Sequence, residues 1–300
     1  IKSLKILADY VIERHYPHCK DGKNSYINLF KEIVKRQAIL ISKWMSVGFI
    51  HGVMNTDNTS IYGETIDYGP CAFLDEYDSN KVFSSIDQTG RYAYKNQPEI
   101  IRWNLACLAS SLLPLINDDE KKSIILAQNA VDEFPDLYKE EWLKLFRNKL
   151  GLKNKKENDE RLIDSLLLQM EKHKTDFTLT FRNLCPLVMD NNESDFQKFR
   201  NHFSNSKDIN NWLSNWKSRL SFEKRNKNNI FTFIKDINPA YIPRNHRIEE
   251  MINKGLEGDY SLFNLLNEIL STPFNDQKEY QEYQVPPKEN QIVKQTFCGT

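Results

Sequence analysis

Apolar side chains recur at helical spacing along most of this chain. Over 3–16 they fall at Leu4, Leu7, Ala8, Val11 and Ile12, which predicts a first helix. Pro17 to Asn24 is a polar break containing Gly22. A strong amphipathic pattern follows over about 26–47, with Ile27, Phe30, Val34, Ala38, Ile41 and Met45 on one face. Gly48 is placed as the residue that ends that helix. Phe49-Ile50 then leads straight into His51, so whatever follows is held at the end of a long, packed helix. β-Branched and aromatic residues around Gly63 predict a short hairpin over 59–66. Residues 70–97 read as one irregular loop, and long loops inside compact domains are usually functional or mobile. Pro98 opens a helix over about 98–113, with Ile101, Leu105, Leu108 and Leu112 inward and Trp103 in the core. Further helices are predicted at 119–134, 136–150, 158–172, 194–203, 208–219, 246–256 and 259–270. The Lys/Asn-rich 151–160 reads as a linker or surface loop, and the polar tail 275–297, with Pro286-Pro287, as extended. The expected class is mainly α with one small β element. Residues 1–150 carry the loops, and a helical region over 151–300 packs on them, as a second unit or as one continuous domain.

Bulk properties narrow the partners more than the chemistry. Lys+Arg and Asp+Glu are both 41, so the chain has no global field for nucleic acid or an anionic membrane. The runs Lys153–Lys156 and Lys224–Lys227 read as solvated faces. No apolar run reaches the ~18 residues a bilayer span requires. Five cysteines with no C-x-x-C pair argue against zinc and against a disulfide scaffold, and fit a reducing, intracellular compartment. Bacterial cytoplasm and mitochondrion both stay open. The chain starts at Ile1 with a helical pattern and no signal or transit pattern, so an upstream part is expected. Cys298 stands near the end of the sequence, as an inert thiol or a functional one.

The most informative stretch is His51-Gly-Val-Met-Asn-Thr-Asp57-Asn58, followed nine residues later by Asp67-Tyr68-Gly69. An Asn and an Asp on neighbouring loops can hold Mg²⁺ on a nucleotide's phosphates. Asp57, beside that Asn, is placed to serve the chemistry. The order His-Gly, Asn, Asp-aromatic-Gly is the layout of a kinase-like catalytic loop and metal loop. One position is out of place, because the catalytic Asp of a kinase would stand at Val53. Any one of these residues alone is explained by turn capping; the ordered set behind a long helix is not. His51 reads as a supporting hydrogen-bonding residue, Tyr68 as packing, and Gly69 as allowing the turn. No G-x-G-x-x-G or Walker loop occurs, and the fifty residues before His51 read as helix, so a nucleotide-covering small lobe does not fit there.

At these residues the chain resembles the selenoprotein O family of kinase-like protein adenylyltransferases, called pseudokinases because the usual Asp is missing. The matching runs are 48–58, 65–70, Asp87–Ala93, Asn96–Pro98, Trp103–Leu105, Asp176–Thr178 with Phe181-Arg182, Asn238–His246, Gly258-Asp259 and Cys298–Thr300. The resemblance implies a kinase-like large lobe that transfers AMP from ATP, with Mg²⁺ or Mn²⁺, to Ser, Thr or Tyr hydroxyls of proteins. It implies Asp57 as the proton acceptor, and Asn58 and Asp67 as metal ligands, with Asp67 also near the ATP phosphates. The family's glycine-rich loop and phosphate-binding Lys would lie before residue 1. Some members pair the terminal Cys with a Cys in the loop after Asp-Tyr-Gly; the aligned position here is Phe83, and Cys71 sits twelve residues earlier. A protein-kinase-type phosphotransferase and a non-catalytic helical binding module are the alternatives.

Overall fold

The structure is a computed structural model that describes residues 1–21, 24–190 and 192–298; Gly22 of the polar break and Gly299-Thr300 of the terminal run lie outside them. It is mainly helical, with thirteen α-helices and one two-stranded sheet among the described residues. Helix α1 (Lys2–His15) leads to α2 (Ser25–Val47), the central element. Asn24 caps α2 by accepting from the Ile27 amide at 3.2 Å, and Gly48 ends it in the left-handed region at φ 73°. The face predicted from the sequence is buried, from Ile27 through Met45. Against it pack α3 (Gln97–Ile116), α4 (Glu120–Asp132) and α5 (Phe134–Lys149). Beyond them α6 (Asp159–His173) pairs with α10 (Lys207–Leu220). Trp212 and Trp216 of α10 stack at 5.9 Å and donate their indole N–H groups to the Leu162 and Leu150 carbonyls, so both aromatics are buried with their polar atoms satisfied.

Residues 151–160 are no free linker. Leu150 and Leu152 are fully buried, and Gly151 (φ 81°) presses against Ile230 and Ile234 of α11 (Lys227–Ile237) so closely that a Cβ would come within 2.7 Å of Ile234. Buried Glu223 accepts from the Lys153 and Asn154 amides, and Arg219 bridges Glu223 to buried Asp159. One hydrophobic cluster runs from Ala8 to Ile234 across this segment.

The predicted hairpin over 59–66 is absent. The turn is there, with the Gly63 amide on the Ser60 carbonyl and Gly63 at φ 79°, but no ladder forms. Its carbonyls are taken by side chains of the preceding helical segments: Tyr16 donates to Ile61, Gln37 to Ser60 and Arg36 to Tyr62. The sheet instead pairs β1 (Phe49–Ile50) antiparallel with β2 (Ala72–Phe73), closing around both loops of interest. Three helices were not anticipated: α7 (Phe177–Arg182), α8 (Leu184–Leu187) and α11. α9 (Glu193–Asn201), α12 (Asn245–Leu256) and α13 (Ser261–Ser271) fall where the periodicity places them. The tail contains short helical turns at Lys278–Gln284 and Glu289–Gln291. Trp103 is half exposed under the Arg91 guanidinium (4.9 Å) rather than in the core, and Leu7 is exposed. The stretch Tyr94–Ile116 is long and apolar enough, by length and composition alone, to cross a bilayer, contrary to the expectation from the sequence. It carries Arg102 and Asn104 and packs on α2 and α4, as a core helix does.

Lys149, the last residue of α5, is buried, with its ammonium over the Phe181 ring at 4.4 Å and the Phe177 ring at 5.5 Å. Burial pushes it from 10.5 down to about 7. Between those values the unfolded chain holds a proton that the folded chain releases, so stability rises with pH across that window. At pH 7 the cost approaches ~4 kcal/mol at 1.4 kcal/mol per unit, and the two rings offset ~1–2 of it. Lys149→Met is therefore expected to stabilise the fold by about 2–3 kcal/mol at pH 7 in urea unfolding, with most of the gain gone by pH 10. A gain independent of pH would show that the buried charge is not its source.

Candidate active site

The site is assembled from the end of α2 outward. After Gly48, β1 is clamped by Gln97, a fully buried residue at the start of α3: its amide N–H donates to the Phe49 carbonyl (2.9 Å) and its oxygen accepts from the His51 amide (3.0 Å). The His51 ring stacks on Trp44 at 5.2 Å. Its Nε2 lies 2.8 Å from the Ile66 carbonyl and its Nδ1 faces the Val53 amide at 3.4 Å. One nitrogen therefore donates and the other accepts, which is the neutral imidazole. Burial holds its pKa below the ordinary value, while the Ile66 carbonyl and the Asp67 charge act in the opposite sense. His51 thus ties the start of the first loop to the residue just before Asp67, the supporting role its sequence position suggests. Gly52 (φ 86°) lets the two loops meet, since a Cβ there would stand 3.1 Å from the Pro70 carbonyl.

Val53 points its side chain into the interior, and its carbonyl accepts from Asn58 Nδ2 at 2.9 Å. That bond leaves the Asn58 amide oxygen without a protein partner among the described residues. Asp57 and Asn58 lie on a single helical turn, Thr56–Asn58. Asn104 of α3 holds this turn through Met54 (3.0 Å) and Thr59 (2.8 Å), and Tyr92 donates to Asn55 at 2.7 Å. Asp57 is exposed, and its carboxylate makes no hydrogen bond or ion pair among the described residues. Asp67 is exposed at φ 54°, a region a non-glycine residue adopts at a cost, and its Oδ1 accepts from the Gly69 amide at 3.2 Å. Tyr68, expected to pack, is 62% exposed. Residues 51–53 thus join the Asn58 loop to the Asp67 loop, while Asp57 shares the turn with Asn58.

The candidate donors, the Asn58 amide oxygen and the Asp67 carboxylate, are both hard oxygens. Among the described residues no group of three or more His, Cys, Asp or Glu could hold a metal. That composition suits Mg²⁺, which takes one or two protein ligands and fills the rest with water and substrate phosphate, and does not suit zinc.

The tail comes back to this loop. The Thr296 amide donates to the Phe83 carbonyl (2.7 Å), its carbonyl accepts from Ser85 (2.9 Å), and its hydroxyl donates to Pro70 (2.5 Å). A methyl group at Gly69 would come within 2.7 Å of Cys298 Sγ and 3.2 Å of Asp67 Oδ1, so thiol and carboxylate both crowd this glycine. Gly69→Ala is expected to strain the tail by about 1–2 kcal/mol and raise Cys298 labelling by a maleimide roughly tenfold through local opening. Unchanged labelling would place the thiol elsewhere.

The sequence model described as "Protein adenylyltransferase SelO" matches residues 1–271. The chain belongs to the SelO family. A "Protein nucleotidyltransferase YdiU" of Bacillus cereus (strain AH187) is 46% identical over 301 residues, covering 100% of this chain and 60% of the relative. One of Rhizobium etli (strain CIAT 652) is 46% identical over 298 residues, covering 99% and 59%. The chain spans about 60% of the length of these curated relatives.

Two SelO-like runs recognised in the sequence now have structural reasons. Asp87 accepts from the Arg91 and Tyr92 amides and so sets the turn that aims Tyr92 at Asn55. In the run 238–246, Arg244 is buried between Asp75 (2.8 Å) and Asp176 (2.6 Å) and also donates to the Gln284 carbonyl. Burial raises the Asp176 carboxyl, and Arg244 opposes that rise. Asn245 donates to the Phe73 carbonyl. Together these residues fasten β2, just beyond Asp67, to α7 and to the tail. Residue spacing alone did not point to this knot.

Proposed function

We propose that this chain is the metal-gripping large lobe of a kinase-like protein adenylyltransferase. The observation that supports it is that His51–Val53 ties the loop bearing Asp57 and Asn58 to the loop bearing Asp67, in a SelO-family chain. Asn58 and Asp67 would hold Mg²⁺, which supplies charge neutralisation for the ATP phosphates. Exposed, unpartnered Asp57 accepts the proton of a Ser, Thr or Tyr hydroxyl as that oxygen attacks the α-phosphorus. The bond to pyrophosphate breaks, and AMP remains on the protein acceptor. Buried Val53 cannot carry the proton, which supports Asp57 in that role. Residues 1–150 hold the chemistry in this reading, and 151–300 brace it. The organisms of the two relatives named above, Bacillus cereus and Rhizobium etli, favour a bacterial cytoplasm.

The decisive assay supplies ATP labelled at the α- or the γ-phosphate, with a bacterial lysate as the source of acceptor proteins. Label entering protein from α-ATP alone is expected. Label from γ-ATP alone means a protein kinase. Label from neither, at the full length of the relatives, favours a helical binding module.

A further inference from the structure

Behind the loop bearing Asp67 lies a solvent-open groove of about 450 Å³ that the proposed reaction does not use. Its wall is apolar and aromatic, from Trp44, Phe49, Phe73 and Phe274, with Tyr68 at one side. Lys149 also lines it. That side chain is only 3% exposed, and its ammonium lies over the Phe181 ring at 4.4 Å and near the Phe177 ring at 5.5 Å. No carboxylate or carbonyl lies within hydrogen-bond or ion-pair reach of it among the described residues. Two other charged residues line the groove, Lys43 and Asp236, both with exposed side chains, and neither pairs with Lys149.

A buried cation without an anion is costly, and proteins normally provide it with a partner. Here an open groove with an aromatic wall runs along the Lys149 side chain instead. An incoming anion would restore the favourable charge on the amine, and a hydrocarbon body would be buried against the rings. A neutral ligand gains only the second term, and a cation loses the first. We propose that this groove is a binding site for a small apolar anion, an alkyl or aryl carboxylate whose head meets Lys149 and whose body lies on Trp44, Phe49, Phe73 and Phe274. The site is independent of the nucleotide chemistry. It adjoins that chemistry, because Thr65 and Tyr68 of its wall flank Ile66-Asp67.

The test compares octanoate, 1-octanol and octylamine by titration calorimetry on the purified protein. Octanoate is expected to bind once per chain, at least tenfold more tightly than octanol, with octylamine weaker than either. In Lys149→Met, which keeps the side-chain volume, octanoate should fall to the level of octanol while octanol changes less than twofold. Equal affinity for octanoate and octanol in the unaltered protein overturns the proposal. So does undiminished octanoate binding in Lys149→Met, which would place the anion on Lys43. A second measurement needs no variant. Reductive methylation with formaldehyde and cyanoborohydride, read residue by residue by mass spectrometry, should be slowed at Lys149 at least fivefold by saturating octanoate and not by octanol. Equal protection by both, or by neither, overturns it.

Discussion

Under the proposed function, Asp67→Ala is expected to reduce AMP transfer by at least about a thousandfold while leaving the protein folded, because it deletes the carboxylate proposed to hold the metal, whose charge stabilisation is worth several kcal/mol in the transition state. The two effects separate cleanly at this residue. Asp67 is exposed, and its one hydrogen bond within the chain is the turn contact to the Gly69 amide. Alanine at φ 54° adds a backbone penalty of about 1 kcal/mol, which a domain of this size tolerates. Asp67→Asn keeps the turn acceptor and is tolerant of the left-handed region, so it should fold like the parent and still fail in transfer. Incorporation from α-labelled ATP against Mg²⁺ concentration, alongside thermal unfolding, reads both. Activity within tenfold of the parent for either variant sinks the assignment of Asp67 to the metal.

Arg244→Ala is expected to cost about 3–5 kcal/mol of stability, among the largest single effects in the molecule. The guanidinium is nearly fully buried and serves two carboxylates and a carbonyl at once. Removing it leaves Asp75 and Asp176 close together, with Asp176 already raised by burial. Arg244→Lys should recover little, since one ammonium cannot span the same forked set of acceptors. Urea unfolding measures the loss. A change under about 1 kcal/mol would mean that these charges are solvated as on a surface, and the account of the knot would fail.

The readability of this fold tracked the range of the contacts. α2 was legible to within a residue because its apolar face, Asn24 cap and Gly48 stop are all local. The start of α11 is not legible because Asn226, Asn228 and Asn229 mask it, although Ile230 and Ile234 are one turn apart and buried. α7 and α8 are too short for a period to emerge, with Pro186 inside the second. The 59–66 segment has strand-like residues, yet Tyr16, Arg36 and Gln37 claim its carbonyls, and no window of eight residues reveals that. Asp57, Asn58 and Asp67 stand out as candidates in the sequence because they lie within eleven residues of one another. Arg244 and Asp75 are 169 positions apart, and a pair so separated leaves no spacing to read. Trp103 kept helical register with buried neighbours but sits at the edge of the apolar stripe, where Arg91 covers it.

The bond from the Thr296 hydroxyl to the Pro70 carbonyl spans 226 positions. Closing so long a loop is among the slower and entropically costlier events available to a chain. During synthesis the helices around α2 can form and pack while the tail is still inside the ribosome. The loop bearing Asp67 cannot receive its brace until translation has passed Thr296. A chain cut between Ser271 and Thr296 would keep its helices and leave the loop bearing Asp67 without this brace.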